Sequence, residues 1–187
     1  MIYIFLAEGF EEVEALTPLD VLRRAKLPVK TVGVTGKTVI GSHGIPVVAD
    51  LTVDAVDEAD LTAIVLPGGI PGTPNLEACD RLMQMVDRAA ESKKVIAAIC
   101  AAPSILGHRG ILKGKRATCF PGFEKELTGA QHVDLPAVQD GNIVTGWGAG
   151  GAFEFSLALL CALTDPATAG KMRTTMRIPA VAPKEED

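Results

Sequence analysis

Three short, continuous runs of apolar residues, rich in β-branched side chains, restrict the fold of this chain more than any other feature. They cover Ile2 to Leu6, Thr62 to Leu66 and Lys94 to Ala98, and stretches with helical spacing separate them. A strand that is apolar on both faces is typical of a parallel sheet covered by helices on each side. The pattern therefore predicts an α/β fold, a flavodoxin-like three-layer α/β/α sandwich with a mostly parallel central sheet.

The stretches that separate the apolar runs predict helices. One is expected from Glu11, with Pro18 kinking it or dividing it in two, because proline lacks a backbone donor. Others are expected over Leu76 to Ala90, from Ala101 to about His108, and over Ala152 to Leu163. This alternation of strands and helices predicts one domain over residues 1–178. Residues 179–187, with two prolines and a charged end, are expected to form a disordered tail.

Composition and charge exclude several classes of protein. Hydrophobic residues make up 48% of the 187-residue chain, which is enough for a packed core. The 18 basic and 23 acidic residues give a net charge of −5 without a dense basic run, so sequence-specific nucleic-acid binding is not expected. Apolar stretches such as Val95 to Ala102 are too short to cross a membrane as a helix. Acidic residues directly after the first apolar run disfavour a signal peptide, which predicts a cytoplasmic location.

Four cysteines are spread along the chain, and one of them lies in a distinctive setting. Their spacing fits neither a zinc site nor a disulfide framework, so no metal is expected. Cys100 follows a buried strand directly and precedes a helix, which is the arrangement of a nucleophile elbow. A helix N-terminus is expected to lower the pKa of such a thiol. The alternative is that Cys100 is a small buried core residue.

Two other segments are expected to reach the same edge of the sheet. Gly68 and Gly69 follow the second apolar run, where glycines let backbone N–H groups approach a ligand, although Pro-Gly-Gly also suits an ordinary turn. Several glutamates follow the first run, and most fit a solvated helix start. Glu14, between apolar neighbours, is the one expected to face inward, where burial would raise its pKa and keep it protonated beside a thiolate.

Five segments in order, AEGFEEVEALTPLDVLRRA, VLPGG, AAICAAPSIL, ATCFPG and GAFEFSLALL, resemble the ThiJ/PfpI superfamily. Within it they are most similar to the Parkinson-linked deglycase branch (DJ-one) and its bacterial YajL-like members. The resemblance covers residues 2 to about 163 and implies a sandwich of the class I glutamine amidotransferase type. It also implies a homodimer, with Arg24 and the first helix at the contact.

The resemblance implies a chemistry for the residues at the sheet edge. Cys100 corresponds to the oxidation-prone catalytic cysteine, and Glu14 to the carboxyl group that hydrogen-bonds it. Gly68, Gly69 and Ala101 would supply the N–H groups of the oxyanion site. The implied reactions need no cofactor: glutathione-independent conversion of methylglyoxal to lactate, or removal of early glycation adducts from proteins or nucleotides.

Several positions depart from the family pattern. Phe120 stands where some relatives have histidine, although YajL-like members resemble this sequence in having phenylalanine there. Ala101 stands where protease-like members have histidine, which disfavours a Cys-His peptidase. Trp147 and Ala149 replace arginine and proline, and His43 lies near a position that is often arginine. Phe120 and His43 are therefore expected at the rim of the pocket, where they would alter substrate choice.

Two other functions are alternatives to this chemistry, and the sequence disfavours one of them. One is an oxidative-stress sensor or redox-regulated chaperone, in which Cys100 is oxidised to a sulfinate that Glu14 and backbone N–H groups stabilise. The other, a thiamine-pathway or phosphokinase activity, is disfavoured because the chain has no GxxxxGK[ST] phosphate-binding loop.

Overall fold

The computed structural model describes residues 1–180 and contains one large sheet with helices on both faces. Its strands are β1 (Ile2–Leu6), β2 (Val29–Gly33), β3 (Thr38–Ile40), β4 (Pro46–Val48), β5 (Leu51–Thr52), β6 (Ala63–Leu66), β7 (Val95–Ile99), β8 (Arg116–Ala117), β9 (Gln131–His132), β10 (Ala137–Asp140) and β11 (Ile143–Gly146). Its helices are α1 (Glu12–Arg24), α2 (Gly72–Glu77), α3 (Asp80–Glu91), α4 (Pro103–His108), α5 (Ala152–Leu163) and α6 (Pro166–Met176).

Seven strands form the main sheet in the order β10-β11-β7-β6-β1-β2-β5. All neighbouring pairs are parallel except β10 and β11, which form an antiparallel hairpin. The chain passes from β1 to β2 on one side and later returns to β6 on the other side of β1. In open α/β sheets, ligands bind at the carboxyl ends of strands beside such a reversal. The predicted sandwich with a mostly parallel sheet is thus confirmed.

Alternate side chains of each central strand enter separate hydrophobic cores. Tyr3 and Phe5 of β1 belong to the core that includes buried residues of α3 and α4. Ile4 and Leu6 belong to the other core, which includes buried residues of α1 and α5. Because both faces of β1 are buried, its sequence is continuously apolar rather than alternating. This explains why the apolar runs identify the central strands.

The structure refines one helix prediction and corrects another. Of the two outcomes expected for Pro18, a kink or a division of the helix, the division is excluded, because α1 continues through the buried proline. The predicted helix over Leu76 to Ala90 is two helices, with extended backbone at Cys79 between them. Leu76 and Leu82 are both fully buried, yet on one continuous helix they would lie about 120° apart. The break therefore lets both side chains reach the core.

None of the helices in residues 1–180 combines the length and apolar character needed to span a bilayer.

The C-terminal end of the described chain leaves one prediction open. Helix α6 begins after Asp165, whose side chain accepts a hydrogen bond from the Thr168 N–H at 2.9 Å. The predicted disordered tail lies outside the described residues from position 181 onward.

Candidate active site

Cys100 lies immediately after β7 in a strained backbone conformation. Its φ is +67°, in the left-handed region that residues other than glycine adopt only at a cost. Two backbone hydrogen bonds hold it there: its N–H donates to the Gly146 carbonyl at 2.8 Å, and its carbonyl accepts from the Phe120 N–H at 2.8 Å. The predicted strand-turn-helix elbow is present, and the following helix begins at Pro103 rather than at Ala101.

Glu14 reaches the same place from the first turn of α1, and it faces inward as predicted. The residue is 1% exposed, and its Oε2 accepts a hydrogen bond from the Gly68 N–H at 2.9 Å. Its Oε1 is buried and has no partner with hydrogen-bond geometry among residues 1–180. Burial raises the pKa of Glu14 to about 7, although interactions with the Cys100 side chain and the Gly68 N–H oppose the rise. The carboxyl group is therefore able to hold or release a proton near neutral pH.

The Cys100 thiol is in a different electrostatic setting from the one that the sequence predicts. Burial raises its pKa to about 12, and the neighbouring Glu14 carboxylate adds to the rise. Backbone N–H groups of Ala101 and Gly69 act in the opposite direction. The prediction of a thiol with a lowered pKa is therefore wrong for the resting protein, because burial and a facing carboxylate outweigh the donors. Protonation of Glu14 would remove the repulsion between the two groups and make the Cys100 thiol easier to ionise.

The three residues expected to form the oxyanion site have different roles. Gly69 and Ala101 direct their N–H groups toward the Cys100 sulfur. The Gly68 N–H is engaged by Glu14, so it orients the carboxyl group instead of facing a reacting oxygen. A side chain at Gly68 would place its Cβ only 2.6 Å from the Cys100 Cβ. Glycine is thus required there for the strand ends to approach each other.

A cavity of about 280 Å³ opens beside the Cys100 thiol. Phe120 lines it and is about half exposed, which agrees with its expected place at the rim. Three further lining residues, Glu11, Ile70 and Phe123, were not singled out from the sequence. Glu11 was grouped with the solvated acids of the helix start, and no spacing rule separates it from them. The full lining is Glu11, Glu14, Gly69, Ile70, Cys100, Ala101, Phe120, Phe123 and Ala149.

His43 does not line this cavity within one chain. It lies in the turn between β3 and β4, where its Nδ1 is 3.0 Å from Glu12 Oε2 and 3.5 Å from Glu11 Oε2. Burial alone would raise the pKa of Glu12, but hydrogen bonds from the His43 side chain and from backbone N–H groups lower it to about 2. Ligand atoms of these three residues lie within 4.8 Å of one another, close enough for a single cation. In the structure those atoms hydrogen-bond with each other and with Ser42.

A larger cavity of about 630 Å³ adjoins the first, and Phe120 and Ala149 line both. Trp147 forms part of its wall, so three of the departures from the family pattern, Phe120, Trp147 and Ala149, line this cavity. Cys119 also lines it as a buried free thiol, whose pKa burial raises to about 12. The larger cavity gives room for a substrate that extends beyond the thiol.

Replacement of Glu14 by glutamine should change how stability depends on pH. Because burial raises the folded-state pKa above the ordinary 4.5, the carboxyl group contributes full stability below pH 4.5, and this contribution is lost as pH rises toward 7. The unfolding free energy of Glu14→Gln relative to wild type should therefore rise by about 3 kcal/mol between pH 4 and pH 7.5. Urea denaturation of both proteins across that range measures it. A difference that does not vary with pH would contradict a raised pKa.

Comparison with known proteins places this arrangement in a family. The model of the DJ-1/PfpI family matches residues 1–162. Protein DJ-1 homolog B of Arabidopsis thaliana is 38% identical over 162 residues, which are 85% of this chain and 37% of that protein. The chain thus spans under two fifths of the length of this plant relative. A protein named deglycase from Pyrococcus horikoshii is 32% identical over 141 residues, 74% of this chain and 84% of its own.

Solved structures agree with the sequence matches. A DJ-1 superfamily protein from Salmonella typhimurium has a TM-score of 0.89 and 37% identity, over 96% of this chain and 98% of its own. Toxoplasma gondii DJ-1, in a structure titled as oxidized, has a TM-score of 0.89 and 31% identity over 94% and 97% of the two chains. With Cys100 directly after β7 facing the buried Glu14 of α1, and with a family model that matches most of its length, this chain belongs to the DJ-1/PfpI family.

Proposed function

We propose that this protein is a cofactor-independent cysteine enzyme that acts on reactive carbonyl compounds, as a glutathione-independent glyoxalase or as a deglycase of proteins or nucleotides. The observation that carries the proposal is the pairing of Cys100 with a carboxyl group whose pKa is about 7. Family membership and the relative named deglycase support it. A Cys-His peptidase is disfavoured because Ala101 follows the cysteine directly.

The first step is addition of sulfur to the aldehyde carbon of methylglyoxal. Ionised Glu14 accepts the thiol proton as the carbon–sulfur bond forms. The Cys100 thiol therefore does not have to ionise before the attack, and its high pKa does not prevent the reaction. The aldehyde oxygen gains the negative charge, and the N–H groups of Gly69 and Ala101 lie on the sulfur side of the cavity to stabilise it. Proton transfer to that oxygen gives a neutral hemithioacetal.

The second step moves a proton between the two substrate carbons. Glu14, again ionised, removes the hydrogen from the former aldehyde carbon, and the neighbouring ketone becomes part of an enediol. Return of a proton to the ketone carbon gives a lactoyl thioester on Cys100. Water then cleaves the thioester, releasing lactate and restoring the thiol. The net change is addition of one water to methylglyoxal, without an external oxidant or reductant.

The deglycase reaction would use the same attack on an adduct. An early glycation adduct has a hemiacetal-type or aminocarbinol carbon derived from the aldehyde. As sulfur bonds to that carbon, its bond to the amine, guanidine or thiol would break, and this group would leave unmodified with the proton from Cys100, carried by Glu14. The 630 Å³ cavity next to Phe120 offers space for the released group, whereas the 280 Å³ cavity is sufficient for methylglyoxal itself.

Lactate formation from methylglyoxal without glutathione tests the proposal. Cys100→Ala should abolish turnover, and Glu14→Gln should lower kcat/KM by about 100-fold or more because the proton acceptor is lost. Wild-type kcat/KM should also fall as pH drops below 7, since Glu14 becomes protonated. Glu91→Gln, at the exposed end of α3, is the surface control. Absence of lactate from wild type with Cys100 reduced would contradict the glyoxalase.

A second candidate function is redox sensing, or a chaperone activity that oxidation regulates. It is favoured by the donors around Cys100, because a sulfinate would accept hydrogen bonds from Gly69, Ala101 and protonated Glu14. The Toxoplasma structure titled as oxidized is consistent with such a state in a relative.

Mild peroxide treatment distinguishes the two functions. For a sensor, the intact mass should increase by two oxygen atoms at Cys100, and Glu14→Leu should slow accumulation of that species by about tenfold, since leucine has no donor for the sulfinate. Cys100→Ala accounts for oxidation at the other three cysteines. If wild type loses lactate production on oxidation but gains no aggregation-suppressing activity, oxidation is inactivation rather than regulation.

We also propose that the protein forms a homodimer through α1 and the start of α5. Val13, Leu16, Ile45 and Phe153 are large apolar residues that are one-third to one-half exposed, and all four line one shallow depression. Arg24, which the resemblance places at the dimer contact, forms an ion pair with Asp20 on the same helix. Sedimentation should give twice the mass of the 19.6 kDa chain, and Phe153→Glu should weaken self-association. A monomer at micromolar concentration would contradict the dimer.

A further inference from the structure

The charged residues that line the cavity at Cys100 are all acidic. Glu11 and Glu14 line it, and none of its lining residues is lysine, arginine or histidine. The other walls are apolar side chains or backbone. A substrate that carries a carboxylate or phosphate would therefore meet like charge in a partly buried space, without a cation to offset it.

Glu11 is held firmly at this wall. Its backbone N–H donates to the Gly68 carbonyl at 3.0 Å, and its Oε2 accepts from Ser42 Oγ at 3.0 Å. The side chain is 17% exposed, so it is not free to move far into solvent. These contacts fix a second acidic residue at the wall of the cavity, close enough to Glu14 for its charge to raise the pKa of that carboxyl group.

Neighbouring charges do not cancel that of Glu11. His43 is its nearest cation, but the same imidazole is hydrogen-bonded to the buried Glu12. Two carboxylates and one imidazolium leave a net charge of −1 even when His43 is protonated.

We propose that Glu11 determines specificity by excluding anionic carbonyl compounds from Cys100, so that the substrates are neutral or cationic 2-oxoaldehydes and adducts. The identity of these substrates rests on the proposed function. The exclusion itself applies to any small reagent that approaches the thiol, and it can therefore be measured without turnover.

Alkylation of Cys100 by iodoacetamide and by iodoacetate tests the proposal. The two reagents have similar size and react alike: sulfur forms a bond to the methylene carbon, iodide leaves, and the thiol proton passes to solvent. One reagent is neutral and the other is an anion. A variant that changes the thiolate population alters both rates equally, so the ratio of the two rates reports on charge exclusion alone.

The ratio of iodoacetamide to iodoacetate rates at Cys100, followed by peptide mass mapping, should exceed that of neutral 2-mercaptoethanol by about tenfold in wild type. Glu11→Gln should reduce this excess to within about threefold, because the amide keeps an acceptor for Ser42 but loses the charge. Glu11→Asp and the surface control Glu91→Gln should retain the excess. Circular dichroism establishes that each variant is folded.

The outcomes separate this proposal from the function on which it rests. A wild-type ratio equal to that of mercaptoethanol, or a ratio that Glu11→Gln leaves unchanged, overturns the role of Glu11 even if lactate is produced. A ratio that falls in Glu11→Gln and persists in Glu11→Asp supports the role of Glu11, even if no aldehyde is turned over and the carbonyl function is wrong.

Discussion

Glu14 is buried where β1, β6 and β7 end side by side. The arrangement of the site depends on the hydrogen bonds and the proton that stabilise its carboxyl group there. One oxygen accepts the Gly68 N–H, which joins α1 to the turn after β6. The other oxygen has no aligned partner among the described residues, so the group is left with one unused position beside the thiol. A burial of this kind is costly unless a proton or a hydrogen bond compensates. The protein compensates it with a proton that is easily exchanged near pH 7.

The cysteine and the carboxyl group are best regarded as one acid-base unit. The Glu14 carboxylate raises the energy of the thiolate, whereas the neutral Cys100 thiol stabilises the carboxylate, so the two groups do not readily ionise together. The unit therefore carries a single negative charge most readily, and where that charge resides depends on what occupies the cavity. In the resting protein the negative charge lies on the Glu14 carboxylate. When an electrophile reacts, the charge passes to the Cys100 sulfur. This explains how a thiol with a high pKa can still be the nucleophile.

The sequence was sufficient for most of the architecture and for the central pair of residues. Continuous apolar runs identify β1, β6 and β7, because only strands buried on both faces need them. Glu14 could be selected because its neighbours are apolar. The break at Cys79 could not be predicted, since it follows from the directions in which Leu76 and Leu82 must point in the assembled core.

Contacts between distant segments account for the remaining differences. The Gly68 N–H binds Glu14 across 54 positions of the chain, and His43 reaches Glu12 across 31. No local pattern encodes such pairings, so neither the orienting role of Gly68 nor the wall position of Glu11 was visible. The pKa of Cys100 was mispredicted for the same reason: the local signal was the following helix, but burial and a carboxylate from another helix dominate.

The two edges of the main sheet are both poor templates for another strand. On one side β5 contains only Leu51 and Thr52, and on the other β10 has its end bonded through Asp140 to the backbone of Arg116 in β8. Unpaired backbone groups at a sheet edge are the usual starting point for edge-to-edge aggregation. Under the proposed function the substrates are reactive aldehydes, which modify side chains and thereby favour partial unfolding. Short and covered edges mean that a damaged molecule offers its neighbours little backbone with which to nucleate a fibril.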